Sequence, residues 1–181
     1  MLLLRRWRLT RKAVALARDT PDGVLARITG TVVALGDALV APLTGETCVA
    51  VCSMFRLMSG RADENKPAPF GDGRIDEVAL VPFVVAAGDL RATIVATDAH
   101  FMVPRKRVRS AERESMFLAR HGMAAGVGRF REQLVRVGDR ITVIGTVVLD
   151  GSERPAGDVG FRDAVAAIKL AGSAKHPIVI L

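Results

Sequence analysis

The chain has 181 residues, of which 50% are hydrophobic and 4% aromatic. This length suits one domain that buries a sizeable core, and the hydrophobic content excludes a chain that is disordered throughout. The formal charge of +7 and the pI near 10.4 would suit an anionic partner, such as nucleic acid or an anionic membrane face, but charges that merely solvate the surface are the favoured interpretation.

Residues 1–23 are predicted to form a basic lead-in to the folded domain. The apolar residues 2–4 are too few for a signal-peptide core, and arginines follow them instead of preceding them. No apolar run approaches the ~18 residues that cross a bilayer, so no transmembrane segment is expected. We expect a cytoplasmic protein that is at most peripheral at a membrane. The lead-in is either an interfacial helix anchored by Trp7 or a partly ordered basic segment.

Residues 24–181 are predicted to form one β-rich domain. A flexible surface excursion is expected at 59–74, where prolines and glycines lie among charged residues. Gly88 and Asp89 form a two-residue loop suited to a β-hairpin. The predicted strands are 24–35, 47–57, 77–87, 90–97, 139–149, 160–170 and 176–181.

Residues 111–125 are predicted to form a helix. Ser110 is a suitable N-cap, Glu112 and Glu114 complement the N-terminal dipole, and Gly126 ends the pattern. The face expected to pack on the barrel consists of Met116, Phe117, Ala119, Met123 and Ala124.

Together these elements predict a mainly β (α+β) fold, an OB-like, partly open β-barrel with one well-marked helix. Residues 129–136 are expected to be a short lead-in to the late strands, either helical or extended. A β-sandwich is the alternative architecture. Because OB-like barrels mostly bind other molecules, the fold predicts a binding or scaffold module.

Residues 30–49 combine a glycine-led strand, a tight turn, a loop containing proline and glycine, and a second strand. This stretch resembles the start of the GIDE, or "beside a membrane", domain of GIDE/MULAN-type mitochondrial E3 ubiquitin ligases and of bacterial proteins. The positions that carry the resemblance are Gly30, Leu39, Ala41, Pro42, Leu43, Thr44, Gly45, Cys48 and Val49.

Later segments continue the resemblance in the expected order. Pro82-Phe83 leads into a strand pair, and Glu132 precedes a Gly-Asp-x-hydrophobic-x-Val-x-Gly pattern that includes Gly138, Asp139 and Gly145. The resemblance implies a non-catalytic module at a membrane surface or in a protein complex. The family's RING finger is absent here, so ubiquitin ligase activity is not expected. The family's Asp-x-Thr/Ser-Gly turn is replaced by residues 86–89.

No metal or cofactor is expected. Cys48 and Cys52 suggest a reducing compartment, and residues four apart in a strand lie ~13 Å apart, beyond the ~7 Å between the Cα atoms of a disulfide. Zinc usually takes four ligands, and the three histidines show no ligand spacing.

An acid–base role would have to come from the neighbours Asp98 and His100, or from Glu132. No serine or cysteine stands in a recognisable nucleophile setting. We therefore expect no catalytic residues and no enzymatic activity.

Two basic clusters are the candidate contact sites for an anionic membrane surface. Nucleic acid is the alternative partner, and a protein partner is also open. One cluster lies near the N-terminus and the other follows Pro104. The candidate contact residues are Arg5, Arg6, Trp7, Arg8, Arg105, Lys106 and Arg107.

Overall fold

The structure, a computed structural model, describes residues 11–57, 74–96, 99–108, 110–123, 128–149, 168–172 and 177–181. The predictions for the basic residues before position 11, for 59–73, for Asp98, for the helix end at Ala124 and Gly126, and for 160–167 of the 160–170 strand lie outside these residues. Among the helices of the described part of the chain, none has the length and apolar character needed to cross a membrane.

Most of the described chain is strand. The one helix of ten residues in these segments is α1 (Ala111–Arg120). The strands are β1 (Val14–Ala15), β2 (Leu25–Ala34), β3 (Leu39–Val40), β4 (Thr47–Cys48), β5 (Ala50–Leu57), β6 (Arg74–Leu80), β7 (Phe83–Ala87), β8 (Leu90–Val95), β9 (Ala99–Phe101), β10 (Lys106–Arg107), β11 (Gly128–Val135), β12 (Arg140–Leu149), β13 (Ile168–Ala171) and β14 (Ile178–Ile180).

Five of these strands close into a barrel. β2 pairs with β7, β7 with β8, β8 with β13, β13 with β12, and β12 returns to β2. The β8–β13 pair is parallel and the other four pairs are antiparallel. This arrangement confirms the predicted mainly β fold with an OB-like barrel.

The barrel core follows from alternation along the strands. In β2, Ala26, Ile28 and Val32 are buried while the residues between them are exposed, as expected of a strand with one face inward. Gly30 belongs to the buried series of β2. It has no room for a side chain, because a Cβ at this position would lie only 2.2 Å from the Ala86 carbonyl oxygen of β7. A larger residue at position 30 would therefore separate β2 from β7.

A second sheet lies beside the barrel, with the strand order β10-β11-β5-β6. β5 and β6 come from the chain between β2 and β7, whereas β10 and β11 come from the chain between β8 and β12. Two insertions into the barrel topology thus meet in one sheet. On it, α1 packs through Phe117 and Leu118, and the His121 Nε2 atom lies 2.9 Å from the Glu77 Oε2 atom of β6.

Two predicted elements are corrected by the sheets. The predicted 77–87 strand is two strands, because β6 belongs to the second sheet and β7 to the barrel. Pro82 lies at the change of sheet, where its missing N–H interrupts the ladder. Residues 128–135 form the full strand β11, so the extended alternative for the 129–136 segment is right and the helical one is wrong.

The helix is shorter than predicted, and its apolar face is displaced. It begins after Ser110, whose hydroxyl accepts a hydrogen bond from the Arg113 amide, as predicted. It ends at Arg120, followed by Gly122 with φ of +69°, a conformation that favours glycine. Met116 is 65% exposed, so the prediction that it packs inward is wrong.

Candidate functional site: an arginine groove on the second sheet

The second sheet carries a groove lined by five arginines. Two adjoining cavities, of about 110 and about 470 Å³, share Arg105, Arg129 and Arg131 as lining residues. Together the cavities form one site, the arginine groove. Its lining residues are Arg56, Arg105, Arg107, Arg129 and Arg131, with Met54 and Phe130 beside them.

Strand alternation places these arginines on one face. In β11, Arg129 and Arg131 are exposed, whereas Phe130 and Glu132 point to the opposite, buried face. The side chains of β5 alternate in the same way, with Arg56 exposed and Phe55 fully buried. Phe55 and Phe130 stack with ring centroids 4.9 Å apart, so an apolar layer behind the groove holds the two central strands in register.

The register puts like charges directly opposite each other. Arg56 of β5 faces Arg129 of β11, and Arg107 of β10 faces Arg131 of β11. Side chains that face each other on adjacent strands have Cβ atoms only about 4.5–5.5 Å apart, and like charges in such pairs are destabilising. Arg56 also faces Arg74 of β6, so the fold maintains three facing pairs of arginines on one surface.

No described carboxylate compensates this charge. Across the residues given above, none of the five groove arginines forms an ion pair. On this face, Asp76 of β6 lies opposite Met54, and its carboxylate pairs with the Arg74 guanidinium. The groove thus presents a concentrated positive charge to solvent.

Lys106, predicted together with Arg105 and Arg107, lies on the other face of the sheet. It is paired in register with Glu132, and its Nζ atom lies 2.9 Å from the Glu46 Oε1 atom. Arg136 Nε donates to the Glu46 Oε2 atom at 2.8 Å. The hydrogen bonds from Lys106 and then from Arg136 lower the pKa of the Glu46 carboxyl from its usual value.

Glu132 organises the loop between β3 and β4. It is fully buried, and its Oε1 atom accepts from the Leu43 amide at 3.0 Å and from the Ser53 hydroxyl at 2.6 Å. Its Oε2 atom accepts from the Thr44 amide at 2.8 Å. Both oxygens are therefore committed to holding the loop. Such a carboxyl has a structural role, and its hydrogen bonds leave no approach for a substrate.

The loop residues that carry the GIDE resemblance follow this arrangement. Leu43 is fully buried, and Gly45 has φ of +73°. A Cβ at Gly45 would also lie 2.4 Å from the Arg113 guanidinium of α1, a flexible group that could move, so the positive φ is what favours glycine here. The loop joins the antiparallel strands β3 and β4, in which Leu39 faces Cys48.

The remaining residues of the resemblance lie at turns and at close strand contacts. Ala41 and Cys48 are buried together in a small apolar cluster, with Pro42 in the turn after Ala41. The Asp139 Oδ2 atom accepts from the Arg136 amide at 2.8 Å across the turn that contains Gly138. Gly145 lies where a Cβ would be 2.5 Å from the Ile178 Cδ1 atom.

Among the described residues, those considered for metal binding do not form a ligand cluster. Cys48 and Cys52 are buried and form no disulfide, and burial raises the pKa of the Cys48 thiol to about 11. His100 lies on β9, and Asp98 lies outside the described residues. In the segments that the structure describes, no three His, Cys, Asp or Glu side chains are placed to hold a metal ion.

Sequence reasoning missed three of the five groove arginines: Arg56, Arg129 and Arg131. The available signal was the Arg-Phe-Arg pattern at 129–131, which places two arginines on one face of a strand. That signal depended on recognising β11 as a strand. The contribution of Arg56 depended on the long-range pairing of β5 with β11.

Comparisons of the chain with protein-family models, with curated proteins and with solved structures found no match in any of the three.

Proposed function

We propose that this protein is a non-catalytic binding module that holds a phosphate-bearing polyanion in the arginine groove. The proposal rests on two facing pairs of arginines, Arg56 with Arg129 and Arg107 with Arg131. No carboxylate of the described residues forms an ion pair with these four side chains. A polyanion would convert this local repulsion into attraction. It would also release counterions as each phosphate is neutralised, which favours binding.

The chemistry of the lining residues supports a charged ligand. Small-molecule sites are mostly apolar with a few polar groups, whereas this groove has five guanidinium groups and, on the same face, the one apolar side chain of Met54. Guanidinium groups match phosphate oxygens through pairs of parallel hydrogen bonds and stay charged at all ordinary pH values. The seven lining residues include no carboxyl, imidazole, thiol or hydroxyl group, which supports binding without catalysis.

The resemblance to the GIDE family supports the same class of role and suggests where it would act. It predicts a module at a membrane surface or in a protein complex, without ubiquitin ligase activity. Arg5, Arg6, Trp7 and Arg8 would then add an interfacial contact to the groove. These features of the proposal stay predictions from the sequence.

The test is a calorimetric titration of the whole chain with inorganic polyphosphate. Wild-type protein is expected to bind, and the double variant Arg129→Gln/Arg131→Gln is expected to bind about tenfold more weakly or worse. The matched control is Arg27→Gln/Arg91→Gln, which removes two exposed arginines from the barrel strands β2 and β8.

Both double variants remove the same charge, so only a local site predicts a difference between them. Equal weakening by the two variants, or no binding by wild-type protein, would overturn the proposal. Thermal unfolding of each variant checks that it is folded.

A further inference from the structure

We infer that the ligand of the arginine groove is a single strand of nucleic acid, held through its phosphodiester backbone without regard to base sequence. This inference rests on the function proposed above and names the class of polyanion. It follows from the spacing of the arginines, from the shape of the groove and from the lining residues that accompany them.

The arginines are spaced as a track. Arg129 and Arg131 lie two residues apart on β11, as do Arg105 and Arg107 at β10. At about 3.3–3.4 Å per residue, each pair spans about 7 Å along its strand. This separation is close to that of successive phosphates in an extended nucleotide strand. Arg56 lies one strand further across, about 4.8 Å from the β11 backbone, and widens the track at one end.

The shape favours a strand over a flat or rigid partner. The groove is a concave space of about 470 Å³ between side chains of β10 and β11, with the smaller cavity continuing to β5. A flexible single strand can lay its phosphates along such a groove. A duplex is a rigid rod with phosphates on its outside, and it could present only a few of them to a concave site.

A bilayer surface fits the groove less well. A peripheral membrane site combines basic residues with apolar side chains that project into the interface. The apolar residues of the groove do not project, because Phe130 is only 6% exposed and Met54 packs against the barrel core. Leu57, which is exposed nearby, belongs to the opposite face of β5 from Arg56.

The lining residues also predict the kind of selectivity. Many single-strand sites stack the bases on exposed aromatic rings, and differences in stacking strength then give a modest preference for particular bases. Phe130, the one aromatic lining residue, is buried behind the groove. The described lining residues include no hydroxyl or carboxyl group that could accept a hydrogen bond from a 2′-hydroxyl. We therefore expect equal affinity for DNA and RNA strands and for different base compositions.

Backbone binding sets a quantitative salt dependence. For single strands the slope of log K against log salt is about −0.7 per neutralised phosphate. Five contacts give a slope near −3.5, so the affinity should fall about 100-fold between roughly 50 and 200 mM salt. Removal of two arginines should reduce the slope to about −2 and the fall to about 20-fold.

The test measures fluorescence anisotropy of a short labelled oligothymidylate with the whole chain, in parallel with its RNA counterpart, a duplex of equal length and inorganic polyphosphate. The protein variants are Arg129→Gln/Arg131→Gln and the control Arg27→Gln/Arg91→Gln. Co-sedimentation with vesicles containing phosphatidylserine is measured under the same conditions.

The expected result is salt-dependent binding of both single strands, weaker binding of the duplex, and a reduced affinity and slope for the groove variant alone. Binding of polyphosphate without binding of the oligonucleotides would overturn this inference and leave the proposed function standing. Binding of neither would overturn both.

Duplex binding as tight as single-strand binding would overturn the inference, as would vesicle binding that depends on the groove arginines. Oligonucleotide binding that the groove variant retains in full would also overturn it, since the contact would then lie elsewhere.

Discussion

Single side chains in this protein divide sharply between those that hold the structure and those available to a partner. Glu132 and Arg131 are neighbours on β11, yet the first is fully buried with three hydrogen-bond donors and the second is exposed in the arginine groove. Strand alternation alone separates the two roles. A charged residue in this chain must therefore be assigned a role from its face of the sheet, not from its charge.

Replacing Glu132 tests the structural role. In Glu132→Gln, one carboxyl oxygen becomes an NH₂ group, which leaves at least one of the donors of Leu43, Thr44 and Ser53 without an acceptor. An unsatisfied buried donor costs about 1–3 kcal/mol, so the free energy of unfolding should fall by about this amount in chemical denaturation. Ser53→Ala removes one donor and leaves both amides satisfied, so it should cost less.

The control for this prediction is Glu112→Gln, at an exposed position in the first turn of α1, which should cost less than about 1 kcal/mol. A Glu132→Gln variant as stable as this control would show that the loop does not need the carboxyl.

At the scale of elements, the short strand β10 links the two faces of the second sheet. Lys106 turns toward Glu46, while Arg105 and Arg107 turn to the groove. The ion pairs of Glu46 with Lys106 and Arg136 thus join the loop before β4 to β10 and to the end of β11. Because β10 has only two residues in its ladder, these side-chain contacts contribute to its position.

The lowered pKa of Glu46 gives these contacts a pH dependence. When the pKa of a carboxyl is lower in the folded state, the carboxyl stabilises the fold at pH values above its pKa in the unfolded chain, near 4.5. This stabilisation is lost as the pH falls through the pKa of the folded state. Glu46→Gln should therefore be less stable than wild type at neutral pH. The difference should shrink as the solution is acidified below 4.5. The measurement is denaturant unfolding of both proteins across this range.

The effect is expected to be small because Glu46 is partly exposed to solvent, where ion pairs are weakened by screening. High salt should reduce the neutral-pH difference as well. A difference that stays constant from neutral to strongly acidic pH would show that the side chain acts through packing and not through its charge.

The sequence predicted elements well where local chemistry decides and poorly where distant strands meet. The Gly88-Asp89 hairpin and the Ser110 cap were predicted because each depends on neighbouring residues. The break at Pro82 was missed because β6 and β7 find partners in different sheets, β5 and β2. For the same reason, only Arg105 and Arg107 of the groove were predicted. Arg56 faces Arg129 through a strand pairing that spans more than 70 positions of sequence.

At the scale of the whole molecule, the barrel and the second sheet carry different tasks. The chain leaves the barrel twice, between β2 and β7 and between β8 and β12, and these two segments meet in the sheet that bears the groove. The barrel core includes Cys52 of β5, and Met54 packs against it, so the second sheet is anchored on the barrel at one end. Its other end, with Arg56 and Arg129, projects the positive charge.

This division predicts a trade-off between stability and binding that the melting temperature can reveal. Without ligand, the facing arginines repel each other, so Arg129→Gln should melt at a slightly higher temperature than wild type, because it relieves the repulsion with Arg56. With polyphosphate the order should reverse. A ligand at 100 times its dissociation constant adds about 2.7 kcal/mol to the stability of the protein that binds it, and the variant binds less.

The control is Arg91→Gln, on the barrel, which should show neither the gain in melting temperature nor the reversal with polyphosphate. Scanning calorimetry at low salt, with and without polyphosphate, gives all of these values. A lower melting temperature for ligand-free Arg129→Gln would mean that the guanidinium stabilises the sheet, and that the facing arginines are a structural feature of the fold instead of a site kept for a partner.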